Sequence, residues 1–140
     1  MDLSEEGSKV SGTNIFTHLI HLGLGATAVV QPEFTGMQWY EAYGERHAAD
    51  GKEGRLVSMH TFDKSWDMWE MHPNGSEVVL CTAGSITLHQ EHADASRNTV
   101  TLKPGEYVIN EPGTWHTADV DKEATAVFIT AGLGTTHRPR

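Results

Sequence analysis

The stretch Trp69-Glu70-Met71-His72-Pro73-Asn74-Gly75-Ser76-Glu77 sets two carboxylates and an imidazole around a turn. In an extended strand successive side chains alternate faces, so Glu70 and His72 point the same way. Pro73-Asn74-Gly75 spells a tight turn, with Pro at a turn-entry position and Gly tolerating positive φ. The turn folds the chain back, and Glu77, near the start of the return strand, then faces the same side. A second segment, Gly105 to His116, ends in Pro112-Gly113-Thr114-Trp115-His116. If its strand lies beside the first hairpin, His116 completes the set.

Outward from this hairpin the chain reads as short strands. Leu56–Phe62, Trp66–His72, Val78–Thr82, Ile86–Gln90, Thr99–Leu102, Tyr107–Asn110, Trp115–Val120 and Ala124–Thr130 are apolar or β-branched runs. Asp63-Lys64, Pro73-Asn74-Gly75, Gly84, a polar loop around Asp94–Arg97, Pro104-Gly105 and Pro112-Gly113 separate them. Ile86–Gln90 is read as pairing next to Val78–Thr82. Turn signals every roughly eight to twelve residues suggest a β-sandwich or barrel. Upstream, Ile15–Val30 reads as strand, turn, strand, because Gly23 and Gly25 disfavour a helix. Met37–Tyr40 reads as a further short strand, and Glu41–Gly54 as a charged surface loop with a helical turn around Glu45–Ala49. Residues 1–13 read as a flexible tail, and residues 14–140 as one domain, the usual size for a single core.

The net charge is −9 with His neutral. That argues against nucleic acid and anionic membrane surfaces as partners, since both reward clustered Lys and Arg. No apolar stretch has the length to span a bilayer, and the start Met1-Asp2-Leu3-Ser4-Glu5-Glu6 lacks the pattern of a signal peptide. A cytoplasmic location follows by default. Cys81 is the single cysteine, which excludes an intrachain disulfide and reads as a small buried hydrophobe.

Two neutral imidazoles and a carboxylate form a facial set that leaves coordination positions open and suits divalent Fe, Mn, Ni or Zn. For His72 or His116 alone, an ordinary polar residue near a turn is the better reading. The combination favours a metal site, because burying Glu70 and Glu77 near one another without a cation is costly.

The two segments resemble the cupin superfamily. Its first motif, G-x5-H-x-H-x(3,4)-E-x6-G, meets Glu70 at the first His, His72 at the second, Glu77 at the Glu and Gly84 at the last Gly. Its second, G-x5-P-x-G-x2-H-x3-N, is matched by Gly105, Gly113 and His116. Lys64, Glu111 and Val120 depart from the pattern at turns, and Glu70 departs at a ligand. A similar Trp-Glu-x-His-Pro-x-Gly-x-Glu stretch, with an ending like Gly132–Pro139, occurs in small bacterial proteins to which the resemblance attaches no activity. The resemblance implies an all-β, cupin-type double-stranded β-helix (jelly-roll barrel) with a divalent metal on His72, Glu77 and His116. Motif 1 spans about 66–84 and motif 2 about 105–120. Glu70 is either a fourth ligand or a free general base, and so the candidate catalytic group.

Among the nine histidines, His60 reads as a satisfied structural side chain. His18 and His21, three apart in an extended segment, lie on opposite faces. His89 and His92 read as solvated, and His137 as exposed in a Gly-rich tail. Trp66, Trp69 and Trp115 flank the site, as core packing or as the walls of an apolar mouth. The functional expectation is a metal-dependent enzyme on a small organic molecule, of dioxygenase, isomerase or lyase type. The competing expectation is a non-catalytic small-ligand module. A homodimer is the expected state and is compatible with both.

Overall fold

Buried positions recur with period two along the central strands. On β5 (Glu77–Gly84), Glu77, Val79 and Cys81 are buried while Val78 and Leu80 are half-buried. On β6 (Ile86–Glu91), Ile86, Leu88 and Gln90 are buried and alternate with half-buried Thr87, His89 and Glu91. This is the signature of strands with one face on a core.

The computed structural model, which describes residues 10–140, assembles eleven strands into two antiparallel sheets. The remaining strands are β1 (Ile20–Gly23), β2 (Thr27–Val30), β3 (Arg55–Phe62), β4 (Met68–Met71), β7 (Arg97–Leu102), β8 (Tyr107–Asn110), β9 (Trp115–Asp119), β10 (Ala124–Thr130) and β11 (Thr136–Pro139). One sheet has the order β2-β1-β3-β10-β5-β8, the other β11-β4-β9-β6-β7. From β3 onward the chain crosses between sheets at nearly every connection, and only the β6–β7 hairpin stays within one sheet. That winding is a double-stranded β-helix of the cupin type. Val79, Cys81, Ile86, Leu88, Ala118 and Phe128 fill the space between the sheets.

Several expectations change. Pro73–Gly75 does not close a hairpin: β4 belongs to one sheet and β5 to the other, so the turn carries the chain across the barrel. For the same reason β6 does not pair with β5. The expected strand at Met37–Tyr40 and the loop after it are instead helix α1 (Met37–Arg46), followed by a 3-10 turn at Ala48–Glu53. Four residues were too few to show the period; once Tyr43 is included, Trp39 and Tyr43 stand four apart and stack with ring centroids 5.4 Å apart. Trp39 buries against Leu19 and Leu56, with Phe34, Tyr40 and Tyr43 around it, which gives the helix its tertiary support. The Gly-rich ending is also ordered, since β11 pairs with β4. The tail expected over residues 1–13 lies mostly outside the described residues, and residues 10–13 are exposed and without regular structure.

Gly84 makes the crossing from β5 to β6 possible. Its φ is +71°, and a Cβ there would stand 2.0 Å from the carbonyl oxygen of Glu123. Gly105 also has positive φ, +89°, but open space around it. Gly105→Ala should therefore cost about 1 kcal/mol, the left-handed penalty alone. Gly84→Ala should cost at least about 3 kcal/mol, because strain and overlap act together. Urea denaturation of the two variants checks the difference.

Candidate metal centre

The register of the second sheet builds the site. Glu70 on β4 stands opposite His116 on β9, and His137 on β11 stands opposite Glu70. Glu77, the first residue of β5, reaches in from the facing sheet, and His72 follows the end of β4. One ligand atom each from Glu70, His72, Glu77 and His116 lies within 4.8 Å of the others. His72 Nε2 is 3.0 Å from Glu70 Oε1 and 3.2 Å from Glu77 Oε2. His116 Nε2 is 3.4 Å from Glu70 Oε1 and 3.2 Å from Glu77 Oε1. Three of the four side chains are almost fully buried, and Glu70 retains 28 % of its exposure.

Their outer partners fix which nitrogen faces inward. Thr135 Oγ1 donates to the carbonyl of Gly132 at 2.7 Å, so toward His72 Nδ1, also at 2.7 Å, it acts as acceptor. His116 Nδ1 lies 3.3 Å from the carbonyl oxygen of Thr114, which can only accept. Both imidazoles thus carry a proton on Nδ1 and turn Nε2 toward the cluster, where loss of the Nε2 proton gives the tautomer a metal requires. Glu77 is held by Asn110 Nδ2 donating to Oε1 at 3.1 Å and Thr130 Oγ1 donating to Oε2 at 2.6 Å. Despite its short distances, buried His72 Nε2 has no hydrogen bond of acceptable angle among the described residues. A buried nitrogen aimed between two carboxylates without bonding either fits a cation between them. The donor set of two imidazoles and two carboxylates suits a divalent ion.

Without a cation the charges answer one another. Burial lowers the pKa of His72 and of His116, but the close approach of the Glu70 and Glu77 carboxylates outweighs it and raises both to about 9. Burial raises the carboxyl pKa of Glu70 and of Glu77, and the two imidazoles reverse this and hold both below the ordinary range.

The other candidates separate. His137 is exposed as expected, but it lies on β11 and not in a tail, and puts Nε2 3.0 Å from Glu70 Oε2. Its one sequence signal is Pro139, a residue strands tolerate at a sheet edge. Trp66 faces inward, 6.4 Å from the His116 ring. Trp69 and Trp115 neighbour inward-facing Glu70 and His116, and by alternation lie on the outer face, where Arg138 sits over both rings at 5.2 and 4.4 Å. His60 is not satisfied: its Nε2 is buried with no partner among the described residues. His89 is not simply solvated, but bridges Thr99 and Asp119.

A second cluster, His21, His47 and Asp50, was missed because its members are far apart in sequence and fall partly in the presumed loop. His21 Nε2 is 2.6 Å from Asp50 Oδ2, and its Nδ1 is 2.6 Å from the hydroxyl of Tyr43. The His21 and His47 rings stack 3.7 Å apart at 17°. Stacked rings cannot both direct in-plane lone pairs at one ion, so this cluster is a clamp that ties α1 and the 3-10 turn to β1. His18 is not in it.

No family model matches the chain, and no curated protein matches it. Solved structures do. Peruvianin-I, a cysteine peptidase from Thevetia peruviana latex, aligns over 94 % of this chain and 73 % of its own at 18 % identity, TM-score 0.55. Oxalate decarboxylase aligns over 69 % of this chain at 13 % identity, TM-score 0.52, and this chain spans 26 % of its length. A conserved protein with a double-stranded β-helix domain from Klebsiella pneumoniae aligns over 61 % of this chain and 76 % of its own at 20 % identity, TM-score 0.50. At such identities the likeness shows the fold alone. No helix among the described residues is long and apolar enough to cross a membrane.

The shifts set a pH dependence for the chain in chelator. The imidazole values stand above their ordinary 6.5, so that stabilisation is complete below pH 6.5 and is lost as pH rises through about 9. The carboxyl values stand below their ordinary 4.5, so that stabilisation is present above pH 4.5 and is lost as pH falls through the lowered values. Urea midpoints should peak between pH 4.5 and 6.5 and decline toward pH 9, and His72→Gln with His116→Gln should flatten the alkaline limb.

Proposed function

We propose that this chain is a metal-dependent enzyme acting on a small organic molecule. His72, Glu77 and His116 hold a divalent Fe, Mn, Ni or Zn, and Glu70 serves as the general base. The observation that carries the reading is the pair of Nε2 atoms turned inward by Thr135 and the Thr114 carbonyl, beside a buried carboxylate. Oxalate decarboxylase, a structural neighbour, is named for a reaction on a small organic acid.

When bound, such an ion supplies Lewis acidity. The protein's own residues supply the rest. Thr135 and the Thr114 carbonyl fix the tautomers of His72 and His116. Asn110 and Thr130 orient Glu77. Glu70 is the most accessible of the four, and its Oε2 accepts from His137, so Oε1 is the atom placed to take a substrate proton. A second reading has its own support: Glu70 Oε1 lies within 3.4 Å of both Nε2 atoms. As a fourth ligand on a tetrahedral Zn(II) it would close the shell, leaving a non-catalytic ligand-binding module. We also propose a homodimer in which the exposed edge strand β2, with Val29 and Val30 uncovered, meets a second copy; a monomer mass by light scattering would remove that proposal.

The first test is elemental analysis of untagged protein. Near-stoichiometric iron, manganese, nickel or zinc, lost in His116→Ala, is the expected outcome; no metal as purified or after reconstitution sinks the reading. Glu70→Gln should keep the metal. Turnover lost in that variant supports the base, while weakened metal binding supports the fourth ligand. Thr135→Val should lower metal affinity by about 10- to 100-fold, the usual effect of removing an outer partner of a ligating imidazole.

A further inference from the structure

The interior beside the metal centre is walled by aromatic rings. His60 and Phe62 lie on the inner face of β3, in register with buried Ala126 and Ala124 of β10. Trp66, just before β4, lies 5.6 Å from Phe62, 6.1 Å from Phe128 and 6.4 Å from His116, centroid to centroid. From the other side Phe34 meets His60 at 5.3 Å and Tyr40 of α1 at 5.5 Å. Burial, with the charges of Glu70 and Glu77 adding to it, raises the pKa of Tyr40 to about 12. One continuous series of ring contacts therefore runs from α1 to a metal-centre imidazole. Phe34, Tyr40, His60, Phe62 and Trp66 are each only half-buried. These rings form an aromatic wall between α1 and the metal centre.

Two polar atoms in this wall are left over. Trp66 Nε1 and His60 Nε2 are buried without a partner among the described residues. An indole N–H can only donate. Burial lowers the pKa of His60, which favours the neutral ring, whose nitrogens accept or donate. Both rings pack on Phe62 and Phe128, so the two rings belong to one wall. Buried polar groups in folded proteins are paired, and neither nitrogen belongs to the metal-ligand set.

We propose that the ligand of the metal centre is a flat, ring-bearing organic acid, stacked on this wall, with a second oxygen that accepts from Trp66 Nε1 and bonds His60 Nε2. The proposal rests on the metal-centre reading and adds a ligand class to it. Flat rings gain from offset or edge contacts with aromatic walls that a puckered ring of the same size does not, and the paired nitrogens select a ring with an oxygen substituent.

The test uses the full chain loaded with Zn(II) and labelled with ¹⁵N, titrated with 3-hydroxybenzoate, cyclohexanecarboxylate and acetate. The expected result is binding of 3-hydroxybenzoate about tenfold tighter than cyclohexanecarboxylate, with a downfield move of the Trp66 indole N–H. In Trp66→Phe the preference should collapse with zinc content unchanged, the indole signals of Trp39, Trp69 and Trp115 reporting an intact fold. Should that variant not fold, the wild-type indole shift decides. Equal affinity for the two ring acids, or an unmoved Trp66 signal in zinc-loaded protein, overturns the ligand class and leaves the metal centre standing. Failure to take up zinc overturns both.

Discussion

Glu77 is a carboxylate enclosed by protein, 2 % exposed, and the architecture around it answers that one charge. A bare buried carboxylate is not tolerated. Here both oxygens are used: Asn110 and Thr130 donate from β8 and β10, and the two imidazoles face it from the opposite sheet. Asn110 Oδ1 accepts from Gln90 on β6, whose Oε1 accepts from Asn98 on β7. The network therefore runs from one sheet to the other, and the polar centre fixes their relative placement as the apolar core cannot, because burial is non-directional and hydrogen bonds have geometry.

Much of this was legible in the sequence. Period two named the strands, and the turn residues located their ends within a few positions. The four site residues could be assembled from alternation, a turn that folds back to Glu77, and one assumption about neighbouring strands; the β4–β9 register meets the last by placing Glu70 opposite His116, whereas Glu77 reaches in from the facing sheet and not from a hairpin partner. The connectivity was less legible. A Pro-Asn-Gly turn looks the same whether it closes a hairpin or crosses a barrel, and only the facing sheet decides. Helix α1 was lost because its apolar face is made of aromatics, which suit strands as well as helices; the i, i+4 spacing of Trp39 and Tyr43 was the signal available. His137 and the clamp at His21 depend on pairings between distant segments that no local pattern encodes.

Alternation also explains why the two faces of the second sheet differ so sharply. Each inward ligand has an outward neighbour, and those neighbours make a different structure: Trp69 and Trp115 stacked against Arg138, with Glu91 joining Arg97 and Arg138. These contacts are exposed or half-exposed, and each contributes little by itself. Their place matters more, because Arg138 belongs to β11 and is the residue after His137.

β11 is an edge strand held by a single neighbour, and edge elements open at lower free energy than a protein's centre. Thr135, which sets the tautomer of His72, directly precedes it, and His137, which holds Glu70, lies within it. Fraying of this last segment would release the outer supports of both residues contributed by the β4 arm, while Glu77 and His116 kept theirs from Asn110, Thr130 and the Thr114 carbonyl. The centre is thus built in two halves of unequal permanence, one set into the body of the barrel and one latched by the closing strand.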